Sequence, residues 1–189
     1  MPETAISDEQ ILGLMQHQQT REKGFRLLLG KYQERLYWQI RRMVLDHEDA
    51  NDVLQNCMVK VFRSIDQFEG KSALYTWLFR IATNESITFL NQRKKRGSTS
   101  LDEEGAPVAN RLQADAFFDG DELQAALHQA LHRLPDKQRQ VFNLRYFEEM
   151  SYQDIAAVLN TSEGALKASF HHAVKKNRTL LPRTRVGIG

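Results

Sequence analysis

The sequence contains very little cysteine, which excludes two classes of small protein. Cys57 is the only cysteine among 189 residues. A disulfide framework or a cysteine-rich zinc site therefore cannot form within one chain, and this suits a reducing compartment. Cys57 lies in an apolar-rich stretch, so we expect it to be buried and inert rather than to act as a redox sensor.

Long apolar runs are also missing from the sequence. No segment approaches the length that a membrane-spanning helix needs. Residues 1–5 (MPETA) carry neither the basic segment nor the apolar segment of a secretory signal. We therefore expect a cytoplasmic protein with no direct membrane insertion.

Glycine and proline are scarce, with ten and four residues respectively. Apolar residues recur mostly at helical spacing, so the sequence predicts an all-α fold. In the third predicted helix the apolar positions are Val53, Leu54, Val59 and Phe62. The predicted helices cover residues 7–20, 22–45, 46–64, 73–93 and 123–134, and another begins at Pro135, a residue that the first helical turn tolerates.

Charge is distributed unevenly, although the net charge of the chain is only +2. Residues 97–122 contain seven acidic side chains and one arginine, whereas the segments on both sides are net basic. This pattern predicts two DNA-contacting domains, residues 1–96 and 123–189, joined by an acidic linker at 97–122. The linker is interpreted either as a flexible tether or as a segment that becomes ordered only in a complex.

Residues 151–176 have the pattern of a helix-turn-helix. Ser151 and Asp154 form a capping box at the start of the first helix, and Ser162 can cap the second. Asn160 stands at the turn, where a residue that tolerates positive φ is needed. The second helix carries a partly basic face, which is the geometry that places side chains in the major groove of DNA.

Several motifs together resemble one protein family. In order they are DANDVLQ at 49–55, VFRSIDQF at 61–68, YTWLFRIATN at 75–84, RKKR at 93–96 and LPDKQRQVF at 134–142, followed by the helix-turn-helix. They are similar to those of bacterial sigma-70 family factors of the extracytoplasmic-function (group IV) type. The resemblance covers roughly residues 22–180. A helix-turn-helix alone would be weak evidence, but these elements at these intervals are specific.

The resemblance implies two helical domains, a sigma region 2 bundle and a sigma region 4 helix-turn-helix. It also implies a transcription initiation factor that binds the RNA polymerase core, including its β subunit and its β′ clamp helices, and directs it to promoter DNA. Family members are often held inactive by an anti-sigma protein, so such a protein is a further candidate partner. In similar factors the linker threads through the RNA path of the polymerase.

The polymerase contact is expected on the helix after residue 46. Residues three or four apart share a helix face, so its polar side chains form one strip. An isolated acidic strip is usually only a solvated face, but in similar sigma factors this segment docks on the β′ clamp helices. The candidate residues are Asp49, Asp52, Gln55 and Asn56.

The resemblance also places capture of the melted −10 strand at the loop 66–72 and the helix after it. Strand capture requires pockets for unstacked bases and a basic track for phosphates. Trp77 is expected to belong to the core rather than to stack on a base. The candidate residues are Phe68, Gly70, Lys71, Ser72, Arg80, Asn84, Arg93, Lys94, Lys95 and Arg96.

The second helix of the helix-turn-helix is expected to bind the −35 element as duplex. Lys167, His171 and Glu163 are the candidates for base contacts, and Ser162, His172, Lys175 and Arg178 are the candidates for phosphate contacts. The chain departs from its family here. Ala168 and Ser169 stand where Ser-Arg is usual, His172 where a second arginine is common, and Asn160 replaces the usual turn glycine, so the promoter sequence cannot be transferred.

Three other functions compete with this interpretation. A stand-alone helix-turn-helix regulator of duplex DNA would leave the motifs of residues 49–84 without a role. A sigma-like decoy would bind the polymerase core without recognising promoters. An enzyme is the least expected, because no phosphate-binding glycine loop, nucleophile motif or metal spacing is present. We expect no catalytic residue, no metal and no cofactor. The adjacent His171 and His172 diverge by about 100° on a helix and do not predict a metal site.

Overall fold

The computed structural model describes residues 6–96, the first lobe, and residues 122–178, the second lobe. Within these two ranges the regular structure is helical and contains no strand. The helices are α1 (Asp8–Met15), α2 (Arg21–Val44), α3 (His47–Ser64), a 3₁₀ turn (Ile65–Gln67), α4 (Leu74–Lys95), α5 (Glu122–His132), α6 (Asp136–Phe142), a π-helical segment (Asn143–Phe147), α7 (Tyr152–Leu159) and α8 (Glu163–Asn177).

The first lobe is a bundle in which α2, α3 and α4 pack on one another and α1 packs on α2. Local chemistry sets its helix ends. Ser7 and Gln10 form a capping box at the start of α1, and the Asp46 side chain accepts a hydrogen bond from the Asp49 backbone N–H at the start of α3. Leu45 adopts a left-handed φ of 74° between α2 and α3, which lets the chain reverse direction there.

The second lobe contains the predicted helix-turn-helix as α7 and α8. The Ser151 and Ser162 side chains cap the two helices, and Asn160 has a φ of 49° in the turn between them. These three local predictions are confirmed. The π-helical segment that extends α6 was not predicted, because the apolar spacing of residues 141–147 is compatible with an ordinary helix.

The hydrophobic core of the first lobe continues into the second lobe. One cluster of buried side chains joins residues of α1–α4 to Val141, Leu144, Ile155, Val158 and Leu166 of the second lobe. A smaller cluster lies wholly within the second lobe, around Phe142 and Tyr146. The two lobes therefore pack against each other in this structure through apolar contacts as well as polar ones.

Helix positions agree with the sequence-based expectations to within a few residues. α1 ends at Met15 instead of residue 20, and Pro135 precedes α6 as its N-cap instead of standing inside it. The predicted acidic linker lies outside the described residues except for Glu122, which begins α5. None of the described helices is long and apolar enough to cross a membrane.

Candidate nucleic-acid and polymerase interface

A cleft of about 460 Å³ opens beside the loop that connects the 3₁₀ turn to α4. It is called the strand cleft below, because the −10 DNA strand is expected there. On the first lobe it is lined by aromatic, hydroxyl and cationic side chains, which are Phe68, Lys71, Ser72, Thr76, Trp77 and Arg80, and also by Gln67 and Glu69. Apolar faces beside cations and hydroxyl groups are the chemistry that an unstacked base and its phosphate require. Four of the predicted −10 residues thus come together here.

Two aromatic rings form the floor of the strand cleft. The Phe68 and Trp77 ring centroids lie 5.5 Å apart with an interplanar angle of 59°. Trp77 is only 7% exposed, which confirms that it belongs to the core, whereas Phe68 is half-buried. Phe68 is therefore the more accessible of the two rings for a stacked base.

The loop at the rim of the cleft depends on a glycine. Gly70 has a φ of 69°, in the left-handed region that glycine adopts without strain. It places Lys71 in an exposed position, paired with Glu69. Arg80 and Asn84 are both exposed and lie one turn apart on α4, so they extend the polar surface away from the cleft.

In the basic run at the end of α4, the first two residues form ion pairs with carboxylates. Arg93 Nη1 lies 2.6 Å from a carboxylate oxygen of Asp49, and Lys94 Nζ lies 3.2 Å from one of Asp136 in the second lobe. Lys95 and Arg96 are exposed. Partly exposed ion pairs of this kind contribute little to stability.

The predicted acidic strip lies on the outer face of α3. Asp52, Gln55 and Asn56 are exposed, while Asp49 is half-buried. Burial, reinforced by the nearby Asp46 carboxylate, raises the pKa of Asp49, although Arg93 opposes this shift. The opposite face of α3 is core, because Val53 and Leu54 are buried as expected.

One apolar side chain of α3 lies on its exposed face. Val59, expected among the apolar positions of the helix, is 45% exposed. It follows Gln55 by four residues and Asn56 by three, so it lies on the same face as the acidic strip. The helical spacing alone therefore predicts that Val59 lies on this face. The strip therefore ends in an apolar side chain, as the centre of a protein interface often does.

The second helix of the helix-turn-helix presents all of its candidate residues to solvent. The exposed set is Ser162, Glu163, Lys167, His171, His172, Lys175 and Arg178. Lys167 lies 3.7 Å from Glu163, one turn earlier on the helix. The inward face holds Leu166, Ala173 and Val174, which are buried. This division fits a helix that packs on one side and contacts DNA on the other.

His171 and His172 do not converge on a common point. Their ring centroids lie 6.1 Å apart and the rings are nearly perpendicular. No group of three or more potential metal-ligating side chains occurs in residues 6–96 or 122–178. Cys57, the remaining candidate for special chemistry, is fully buried, and burial raises its pKa to about 12.

A polar contact between the lobes has no counterpart in the sequence motifs. Glu148 follows the π-helical segment, and its side chain is 5% exposed. Its carboxylate accepts hydrogen bonds from Arg35 at 3.0 and 3.2 Å and from Arg42 at 3.4 Å. Arg35 and Arg42 precede Glu148 by more than 100 residues, and no local pattern reports pairing over such a distance.

Comparison with known families agrees with this geometry. Residues 28–96 match the family model of sigma-70 region 2, and residues 124–176 match that of sigma-70 region 4. The first match contains α3, the strand cleft and α4, and the second contains the helix-turn-helix. The matched segments thus coincide with the two surfaces that the structure presents.

Individual relatives extend the similarity over nearly the whole chain. The chain is 33% identical to the RNA polymerase sigma-H factor of Pseudomonas aeruginosa, over 90% of this chain and 91% of that protein. It is 31% identical to the ECF RNA polymerase sigma-E factor of Haemophilus influenzae, over 82% of this chain and 86% of that one.

Solved structures share the fold. The sigma factor RpoE of Bartonella quintana, in complex with the anti-sigma factor NepR, superimposes with a TM-score of 0.69 at 24% identity, over 84% of this chain and 96% of that chain. CnrH in complex with the cytosolic domain of CnrY gives a TM-score of 0.65 at 22% identity, over 92% and 96%. Two sigma regions in the expected order, together with relatives of this similarity, show that the chain belongs to the sigma-70 family of RNA polymerase sigma factors, in its extracytoplasmic-function group.

Proposed function

We propose that this sigma factor acts in promoter-directed transcription initiation through three separate surfaces. The outer face of α3 binds the β′ clamp helices of the polymerase core. The strand cleft captures an unstacked base of the melted −10 element. The exposed face of α8 binds the −35 element as duplex. The observation that carries this proposal is the strand cleft, because a factor that binds only duplex DNA has no use for it.

The strand cleft supports capture of single-stranded DNA through its combination of groups. Phe68 offers a half-exposed ring, and base stacking on such a ring is worth about 1–3 kcal/mol. Ser72 and Thr76 supply hydroxyl groups, and Lys71 and Arg80 supply charge at the rim. The exposed cations at the end of α4 then continue the track for the phosphate backbone.

The α8 surface supports duplex binding through position rather than through charge density. Glu163 and Lys167 lie in the first turns of the helix, where side chains of a recognition helix reach base edges. Lys175 and Arg178 lie at the other end, where phosphate contacts fix the orientation of the helix. Lys167, Lys175 and Arg178 are the permanent cations among the candidate residues, so the −35 contact carries few fixed charges.

A regulatory protein partner is also proposed. The two solved structures described above are each a complex, one of them with a protein named as an anti-sigma factor. A comparable partner of this chain would have to cover the α3 face, the strand cleft or both to prevent initiation. Competition between the partner and polymerase core for this sigma factor would test this part of the proposal.

The polymerase contact can be tested by charge reversal at Asp52. Asp52→Arg removes an exposed acid from the centre of the proposed interface, and we expect at least a tenfold loss of core affinity, because an interface charge opposite a like charge costs several kcal/mol. Binding of the full chain to purified core is measured by fluorescence anisotropy. Glu34→Arg, an equal charge change at an exposed position on α2, is the matched control.

The result for the pair of variants decides the assignment of the interface. Retained core binding by Asp52→Arg, or an equal loss in Glu34→Arg, would contradict the α3 interface. If the unchanged chain fails to bind core and instead binds a palindromic duplex tightly by itself, the protein is a stand-alone helix-turn-helix regulator.

A further inference from the structure

The second lobe covers part of the strand cleft in this structure. Ala157 of α7 lines the cleft beside the first-lobe residues. One turn earlier, Asp154 accepts a hydrogen bond from the Thr76 hydroxyl at 3.2 Å. A carboxylate at the edge of a phosphate-binding track repels a nucleic-acid strand. The closed arrangement therefore opposes the function proposed for the cleft, both sterically and electrostatically.

A latch centred on Glu148 adds polar contacts to the apolar packing between the two lobes. Its carboxylate is bound by Arg35 and Arg42, and its backbone carbonyl accepts a hydrogen bond from the Tyr75 hydroxyl at 2.8 Å. The preceding ring, Phe147, lies under the Arg42 guanidinium at 3.8 Å from its centroid. These contacts insert residues 147–148 of the second lobe into a site formed wholly by α2 and α4.

The segment that carries the latch has an unusual backbone. The π-helical turn ends at Phe147, and Glu149 then adopts a φ of 54°. Together they turn the chain sharply enough to direct Glu148 towards the first lobe before α7 begins at Tyr152. Non-glycine residues at positive φ are uncommon and persist where surrounding contacts hold them.

Burial makes the latch sensitive to the loss of one partner. The Arg42 side chain is 11% exposed, and burial lowers its pKa to about 10, although Glu148 opposes that shift. A buried cation without its anion strongly destabilises the state that buries it. When the lobes separate, Arg42 and Glu148 regain water, so removing the carboxylate penalises only the closed state.

From these contacts we infer that the chain is autoinhibited by its own second lobe, which the Glu148 latch holds across the strand cleft. The inference rests on the proposed function of the cleft. Opening the latch uncovers the cleft and moves Asp154 of α7 away from it. The α8 face stays exposed in the closed state, so the latch controls strand capture and not duplex binding.

The latch is tested with two variants on opposite sides of the contact. Glu148→Gln keeps the shape of the side chain and removes its charge, while Arg35→Gln removes a cation from the half-exposed partner on α2. For the full chain, small-angle X-ray scattering should show a larger radius of gyration for both variants. Affinity for a fluorescein-labelled single-stranded DNA of mixed sequence should rise about tenfold, the effect of losing a charged hydrogen bond.

Glu149→Gln is the matched control, because Glu149 is exposed and adjacent, and its backbone conformation is equally open to glutamine. It makes the same charge change as Glu148→Gln and should leave both measurements unchanged. Arg35→Gln distinguishes opening of the latch from a general charge effect. Losing a cation by itself should weaken DNA binding, whereas opening of the latch should strengthen it. If the circular dichroism of Glu148→Gln shows that this variant does not fold, Arg35→Gln in the other lobe provides the test.

Unchanged scattering profiles for the two latch variants would overturn the inference. An equal rise in radius of gyration and DNA affinity for Glu149→Gln would overturn it as well. Core-dependent transcription by the unchanged chain separates this failure from a failure of the proposed function. If such transcription occurs while the latch variants neither expand nor bind the strand more tightly, the latch is wrong and the initiation role stands. Expansion without any gain in strand affinity would also contradict autoinhibition.

Discussion

At the scale of single residues, α3 separates the side chains that hold the fold from those proposed to bind polymerase. Val53, Leu54 and Cys57 are buried, while Asp52 and Gln55 are exposed on the other side of the same helix. The helical period fixes this division, so the sequence could predict it from spacing alone. Substitutions on the exposed face should therefore change binding with little effect on stability.

Cys57 gives a pH prediction at this scale. Because burial raises its pKa to about 12, the thiolate, which is the reactive form, stays scarce in the native protein as pH rises from neutral to 9. Thiol labelling of the native chain should therefore be slow and should follow opening of the structure. Labelling in guanidinium should accelerate over this pH range, as the ordinary pKa of about 8.5 requires. Rapid, pH-dependent labelling of the native chain would contradict the burial of Cys57.

At the scale of elements, α1 and α2 approach each other at a glycine. A Cβ atom at Gly24 would lie 2.7 Å from Met15 Cγ and 3.0 Å from the Met15 backbone nitrogen. The same addition at Gly30, on the same helix, meets nothing within 4 Å. Two glycines that look alike in the sequence thus have opposite structural roles, and only the packing of α1 distinguishes them.

Alanine substitution should therefore have opposite effects at the two glycines. Gly24→Ala should lower the free energy of unfolding by about 1–3 kcal/mol through overpacking. Gly30→Ala should raise it by about 0.5–1 kcal/mol, because alanine loses less backbone entropy in a helix. Urea unfolding followed by circular dichroism measures both, and each variant serves as the control for the other. A shift of the same sign in both would contradict the close approach of α1.

At the same scale, some features of the helices could be predicted from the sequence and others could not. Helix caps and turns are local, so Ser151, Asn160 and Ser162 could be identified from a few neighbouring residues. The π-helical segment could not, since nothing in its spacing distinguishes it from an α-helix. Hydrophobicity alone does not predict burial, since Val59 is apolar but exposed, and helical spacing places it on the polar face of α3.

At the scale of the whole molecule, the structure shows how the two lobes pack on each other, which no sequence motif predicts. Both sigma regions and their order follow from motifs, but the packing of one lobe on the other depends on contacts such as Arg35–Glu148, between residues 113 positions apart. The same contacts bring Asp154 to the edge of the strand cleft. Whether the cleft is open or covered is therefore a property of the assembled chain and not of any one motif.

This chain is proposed to make the polymerase core initiate at particular promoters. This role is tested most directly by in-vitro transcription with purified core on a library of promoter sequences. Sequence-specific transcripts should appear only when core and this chain are both present, and Asp52→Arg should reduce them by at least tenfold through loss of core binding. Absence of core-dependent transcripts, together with tight binding of a palindromic duplex by the chain alone, would contradict the proposed initiation role.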